Sequence, residues 1–444
     1  MSQGKRMKDI LFQKNFLKLT IKFFSGKKQL KTAKSLRKKI ISMPLPVGIE
    51  LVLAADAMPI FLCRVGDYSS LTFLRAARLY QGIFGWNLLS SGLHFLRPFL
   101  GDQFYSDVID QFLTNLYSSY EKYIEIAENQ GSPLDSCFGT RIQLGATWPR
   151  LSQIHGTFGY GLRCNWFSKV FEEIGEKSPT ILMEIPNVFE GHGEEMMVDS
   201  LNQIIAKLEQ ITERTITNEK LRKQIELVNK IRKSYLKVLE LWSMDRILVS
   251  PLSYSNLLSM LHIAFSDCLG DPKFLSQALQ QLAKTFEKIP RTGGYDTTSM
   301  PKLIIVNALG GYEPHLPEIL DNLGGRLLVA DWDVFHMLDP IETTGDILRN
   351  YTRALLKFES TWVDNSTLVE NYISVASKYN VDGILFNNMY GCKSITPSLR
   401  LFKERLQDSD LALVDIGFQN IGDNIEQVKI RIGAVLELIR ERKE

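Results

Sequence analysis

Five cysteines are the residues of this 444-residue chain best suited to metal or redox chemistry, and three of them occupy loop positions. Cys137 lies in Asp135-Ser136-Cys137-Phe138-Gly139-Thr140-Arg141. Cys164 follows a turn-like Gly159-Tyr160-Gly161 and precedes the helix-like Trp166-Phe167-Ser168-Lys169-Val170-Phe171-Glu172-Glu173. Cys392 follows the strand-like Val381-Asp382-Gly383-Ile384-Leu385-Phe386. No pair has C-x-x-C spacing, which sets aside the common zinc and dithiol motifs. In open α/β sheets ligands collect at the carboxyl ends of strands, so three thiols at such loops could converge on one cofactor. The competing reading is that a free cysteine is simply a small hydrophobe. It applies to Cys63, inside an apolar strand, and to Cys268, near a helix end. Position alone favours it for Cys137, Cys164 and Cys392 as well.

Other residue types offer less. The six histidines show no H-x-x-x-H or H-E-x-x-H spacing, which argues against a mononuclear histidine site. His155 and His192 flank the cysteine segment, where a structural role is expected for each. The loop Glu190-Gly191-His192-Gly193-Glu194 could line a pocket. Leu309-Gly310-Gly311 could approach a phosphate, but the G-x-G-x-x-G pattern is missing. No P-loop is present, so ATP hydrolysis would belong to a partner.

These residues need elements to hold them, and composition provides for large cores. Hydrophobic residues make up 45% and charged residues 23%, ordinary globular values in a chain long enough for two or three domains. A net charge of +2 argues against a bulk polyanion, and hence against nucleic acid, as partner. The charge is uneven, however: residues 1–40 hold thirteen Lys/Arg against the single acid Asp9, leaving the remainder net acidic. The longest apolar passage, Val47 to Val65, is interrupted by Glu50, Asp56 and Arg64, so no membrane span is expected. A basic start without an apolar core and cleavage site, together with an odd cysteine count, points to a reducing cytoplasm without structural disulfides.

Along the chain, residues 1–43 read as a basic amphipathic helical arm. Residues 44–195 read as an α/β domain containing Cys137 and Cys164, with a helix near 46–56, strands at 60–63 and 179–186, and helices over 68–128. Residues 196–297 form a helical bridge, with a helix start at Thr217-Asn218-Glu219 and a linker at Arg291–Asp296. Residues 298–444 read as a second α/β domain containing Cys392. Its strands Leu303–Val306, Arg326–Ala330, Ile384–Phe386 and Leu411–Val414 alternate with helices at Pro317–Asn322, Ser366–Tyr379 and Ser398–Leu406. Such alternation predicts two flavodoxin-like or Rossmann-like parallel-sheet domains joined by the bridge.

Several of these segments together resemble the 2-hydroxyacyl-CoA dehydratase D-component family, which includes subunits of benzoyl-CoA reductase. Pro46 to Glu50, running through Ala54-Ala55-Asp56-Ala57-Met58-Pro59, resembles the family's P-x-E…A-A-G-x-x-P, with Asp56 where glycine is usual. Ser136-Cys137-Phe138-Gly139-Thr140-Arg141 resembles its C-S-x-x-R loop. Arg163-Cys164-Asn165, followed by the strand to Pro186, resembles the T-C-D segment, with Asn165 for aspartate. Val381-Asp382-Gly383-Ile384 through Cys392 resembles V-D-G-V…C, and Glu426 to Arg431 the final R-T-R helix. The family's acidic E-x-D near the end is here Asp415-Ile416-Gly417.

The resemblance implies a 4Fe-4S cluster held by Cys137, Cys164 and Cys392, with the fourth iron open. It implies a hydro-lyase subunit that removes water from a 2-hydroxyacyl-CoA through a ketyl radical anion, formed after one-electron reduction by an ATP-hydrolysing Fe–S activator. A related subunit would complete a heterodimer. A subunit of an ATP-dependent benzoyl-CoA or enoyl-CoA reductase is the alternative within the family. A cluster-free α/β binding protein is the alternative outside it. On the first two readings the three cysteines should meet between the α/β domains, with Cys164 and Cys392 each past the carboxyl end of a strand. Cys63 and Cys268 should lie elsewhere.

Overall fold

A computed structural model describes residues 26–44, 46–61, 120–160, 164–184, 193–248, 271–287, 294–307, 316–330, 340–420 and 424–444, with a few isolated positions between them. Cys63, Cys268, His192 and the expected helices over 68–119 lie outside the described residues.

The first half runs α1 (Gly26–Ser35), β1 (Ile40–Met43), α2 (Ile49–Ala54), β2 (Met58–Phe61), α3 (Phe138–Thr147), β3 (Gly156–Tyr160), α4 (Asn165–Gly175) and β4 (Thr180–Met183). Its strands pair in parallel in the order β2-β1-β3-β4. Two of them differ from the sequence reading. Ile40–Met43 falls at the end of the stretch expected as a helical arm, yet forms a strand buried at all four positions. The polar residue in it, Ser42, is satisfied by Thr157 Oγ1 at 2.9 Å. Gly156–Tyr160 reads as a glycine-rich turn and is instead the strand beside β1. Glycine is depleted in strands because it packs no side chain. Here a Cβ on Gly159 would stand 2.3 Å from the ring of Phe171, so the close approach of α4 requires its absence.

The middle is helical, with α5 (Gly193–Thr212), α6 (Asn218–Ser243) and α7 (Pro272–Glu287). Thr217 caps α6 by accepting a hydrogen bond from Lys220 N at 3.2 Å. The short antiparallel pair β5 (Arg246–Ile247) and β6 (Tyr295–Asp296) closes this region, placing the end of the expected linker in a strand. None of the described helices is long and apolar enough to cross a membrane.

The last part runs β7 (Lys302–Val306), α8 (Leu316–Asn322), β8 (Arg326–Ala330), α9 (Ile347–Val363), α10 (Asn365–Lys378), β9 (Gly383–Met389), α11 (Ser398–Arg405), β10 (Ala412–Phe418) and α12 (Ile425–Lys443). The second sheet is again parallel, ordered β10-β9-β7-β8. Helix α9 is absent from the sequence reading, although Tyr351, Leu355 and Phe358 fall at helical spacing and are buried.

Numbered by chain order within each sheet, both sheets read 2-1-3-4. This is the start of the flavodoxin-like order, whose switch point lies between the first and third strands. Those points are β1/β3 in one sheet and β7/β9 in the other. One continuous core spans both halves, uniting Leu51 of α2, Ile231 and Tyr235 of α6, Phe358 of α9 and Phe386 of β9.

Candidate functional site

The elements at these switch points carry the cysteines. Cys137 is the N-cap of α3 and Cys164 the N-cap of α4, just beyond β3. Cys392 follows β9, its N–H donating to Met389 O at 3.1 Å. Cys164 and Cys392 therefore stand past the third strand of their respective sheets, at equivalent places in the two topologies.

The structure brings the three loops together. Gly391, with φ at 77°, lies so close to the first half that a Cβ on it would be 2.5 Å from Asp135 O and 3.1 Å from Cys137 N. Cys137 and Cys392 pack in one small apolar cluster with Tyr120, Phe138, Ile142 and Met389. The ring of Phe138 also meets Phe418, at the end of β10, edge-on at 6.1 Å. On the remaining side, Lys393 Nζ stands 4.5 Å over the ring of Trp166, two residues after Cys164.

All three cysteines are free thiols. Burial pushes the Cys164 thiol from 9.0 up to about 12, and the charges of Cys137 and Cys392 add to the shift. The backbone N–H groups of Phe167 and Trp166 oppose it. Burial likewise raises Cys137, with Cys392 contributing, against the Thr140 hydroxyl and the N–H groups of Thr140 and Gly139. Thus two helix N-termini aim N–H groups at sulfur, a geometry that favours a thiolate. Burial and mutual repulsion outweigh them, so without a cation the Cys137 and Cys164 thiols stay protonated at neutral pH.

Among the described residues, no three His, Cys, Asp or Glu side chains are placed to hold a single metal ion. Thiolate donors match iron–sulfur chemistry, and N–H groups directed at sulfur are what such clusters are surrounded by. The residues present fit that cofactor.

Around the thiols are partners that sequence reasoning missed. Asn307, just past β7, and Asn387 of β9 are both buried and clasp each other. Asn307 Nδ2 donates to Asn387 O at 2.7 Å, and Asn387 Nδ2 to Asn307 O at 2.8 Å. Asn307 Oδ1 then faces Cys392 Sγ at 3.8 Å. The signal available was a polar residue ending an apolar strand. Asp415, at the departure from the family's acidic segment, accepts from Asn388 through Oδ2 at 3.3 Å, while its buried Oδ1 has no partner among the described residues.

His155 takes the structural role expected of it. Its Nδ1 accepts from Ile40 N at 3.1 Å at the opposite, amino-terminal end of the sheet, and burial lowers its pKa.

A second contact between the halves centres on Glu50, from the Pro46-to-Glu50 segment. Its carboxylate is 1% exposed, accepts from Arg232 Nη2 at 2.5 Å and from the Tyr351 hydroxyl at 2.9 Å. Arg232 Nη1 donates to Asn229 Oδ1 at 3.1 Å, and Asn229 holds the backbone of Ile341 by two further bonds. A cavity of about 310 Å³ adjoins this network, lined also by Val47, Leu355 and Phe358.

The family model described as 2-hydroxyglutaryl-CoA dehydratase, D-component, matches residues 46–439. The match spans nearly the whole chain, and the chain belongs to this family. No curated protein matches it.

Proposed function

We propose that this member of the dehydratase D-component family is a subunit of a 4Fe-4S-dependent 2-hydroxyacyl-CoA dehydratase, with Cys137, Cys164 and Cys392 as the cluster ligands. The observation that carries the proposal is the meeting of three free thiols, Cys164 and Cys392 past the third strands of two like-ordered sheets and the buried Cys137 packed beside Cys392. When bound, the cluster would supply an electron and an open iron able to polarise an oxygen of the substrate.

The chain's own residues have definable tasks in this reading. The three thiols give up their protons and bind as thiolates. The N–H groups at the starts of α3 and α4 hold negative charge on Cys137 and Cys164. Asn307, fixed by Asn387, orients the Cys392 loop. The apolar cluster of Phe138, Ile142 and Met389 keeps water from the ligands, which favours the one-electron chemistry that elimination from a 2-hydroxyacyl thioester needs. A related subunit and a separate ATP-hydrolysing activator complete the system, in keeping with the lack of a P-loop in this sequence.

Iron and sulfide analysis of anaerobically purified protein tests the reading. Iron and sulfide near four of each per chain are expected, with a brown chromophore that Cys392→Ser bleaches or makes labile. Absence of iron from protein purified and reconstituted anaerobically would overturn it in favour of a cluster-free binding protein. Turnover of an acyl-CoA by the chain alone with ATP and reductant would overturn the division of labour.

A further inference from the structure

We infer that Lys393 is a positioning residue that clasps the three cysteine loops together before any cofactor is present. The inference rests on the cysteine site proposed above but concerns residues outside the family motifs that define it. Lys393 follows Cys392 directly. Its ammonium lies 3.4 Å from Asp135 Oδ2, two residues before Cys137, and 4.5 Å from the centroid of Trp166, two residues after Cys164. One side chain on the third loop thus touches one residue from each of the other two. A compact ammonium on a flexible stem can meet a carboxylate and a ring face together.

Lys393 and Asp135 side chains are 65% and 59% exposed, and exposed ion pairs add little to global stability. The clasp therefore does not hold the fold, which the continuous core already secures. Apolar packing brings the loops near one another, Cys164 and Cys392 against the main core and Cys137 beside Cys392, and the clasp adds a polar tie between their ends. Gly391 lets the Cys392 loop touch the backbone at Asp135 and Cys137. The Cys164 loop is engaged through the Trp166 ring. Holding the loops in advance lowers the entropy lost when three thiols close around one group.

The test uses the full-length, reduced, metal-free chain as wild type, Lys393→Met, Lys393→Arg and Asp135→Asn. Dibromobimane bridges pairs of neighbouring thiols, and monobromobimane gives the single-thiol reactivity of each variant as a control. Peptide mass spectrometry identifies the bridged pairs. Relative to single labelling, bridging of Cys392 to Cys137 or Cys164 should fall about threefold to tenfold in Lys393→Met, the range for losing one exposed ion pair and one cation–π contact. Asp135→Asn should lose less. Lys393→Arg should bridge close to wild type, because a guanidinium keeps both contacts. Urea midpoints should not change.

Wild-type bridging in Lys393→Met, or no rescue by Lys393→Arg, would overturn the clasp. A midpoint that fell together with bridging would make Lys393 a fold residue and overturn it too. Iron analysis of the wild type is read separately: its failure removes the cluster reading but leaves the bridging ratios to decide the clasp.

Discussion

Besides the continuous core, two contacts between the halves of this molecule carry polar or thiol groups, and they are finished differently. At the Glu50–Arg232–Tyr351 contact, charge is buried and matched, and each group has a hydrogen-bond partner. At the cysteine contact, the thiols are buried or half-buried and weakly partnered by side chains, Cys137 meeting Thr140 at 3.5 Å and Cys392 meeting Asn307 at 3.8 Å. The first arrangement satisfies its central charges internally, beside a cavity that Glu50, Arg232 and Tyr351 help to line. The second holds three soft donors, two of which, Cys137 and Cys164, burial disfavours ionising, and an incoming cation would reverse that. One contact is cement, and the other is the one proposed above to hold a cofactor.

The largest effect should come from breaking the cement. Arg232→Met leaves the Glu50 carboxylate buried without its counter-charge, which costs about 3–5 kcal/mol. Urea denaturation should show this loss, and Glu50→Gln combined with Arg232→Met should recover part of it. Global stability recovering nothing would mean that Arg232 acts through packing alone.

Next in size is Gly391→Ala at the cysteine contact. The residue combines a left-handed φ with backbone 2.5 Å from the would-be Cβ. Strain of this kind costs roughly 1–3 kcal/mol. The Cys392 loop should be driven from Cys137, abolishing thiol bridging between them, while the far-UV spectrum of the chain is retained.

Alkaline pH should separate the two contacts without mutation. A thiol raised in the folded state holds its proton at pH values where the unfolded chain has released it. The metal-free protein is then unaffected below 9.0 and loses stability progressively between 9.0 and about 12, the interval for Cys164. Each pH unit in that interval withdraws at most about 1.4 kcal/mol per thiol. Denaturant midpoints at stepped pH should decline in wild type and decline less in Cys164→Ser.

The smallest effect lies away from both. Asp56 adopts φ 54°, a left-handed conformation, where family members usually have glycine. Its ion pair with Lys38 at 2.8 Å is largely solvent-exposed and offsets little. Asp56→Gly should raise stability by about 0.5–1 kcal/mol, measured by thermal or urea unfolding.

The second sheet was more legible in the sequence than the first. Its strands contain short apolar runs such as Leu303–Val306, and all four lie where alternation places them, with β9 and β10 extending a few residues further. In the first sheet, β1 hides behind thirteen upstream cations and β3 behind its glycines. Local pattern rules read Gly159 as a turn because they do not contain Phe171, the residue that packs against it. Helix α9 escaped for a related reason: its polar face, with Arg349, Arg353 and Lys357, interrupts the apolar positions that face the core.

For the site, loop position raised Cys137, Cys164 and Cys392 as candidates but by itself favoured a small-hydrophobe role, and it was the resemblance to the family that selected them as ligands. Their ordering along the sequence also carries the family relationship, and the glycine usual at position 56 is explained by a backbone angle. What only the tertiary structure decided was which residues surround them. Asn307 and Asn387 are 80 positions apart, Glu50 and Tyr351 are 301 apart, and Lys393 and Asp135 are 258 apart. Such partners have no local signature. A carboxylate or amide bonds whatever the packing of distant strands delivers to it, and that packing is set by burial of apolar surface across the whole chain rather than by any neighbouring residue.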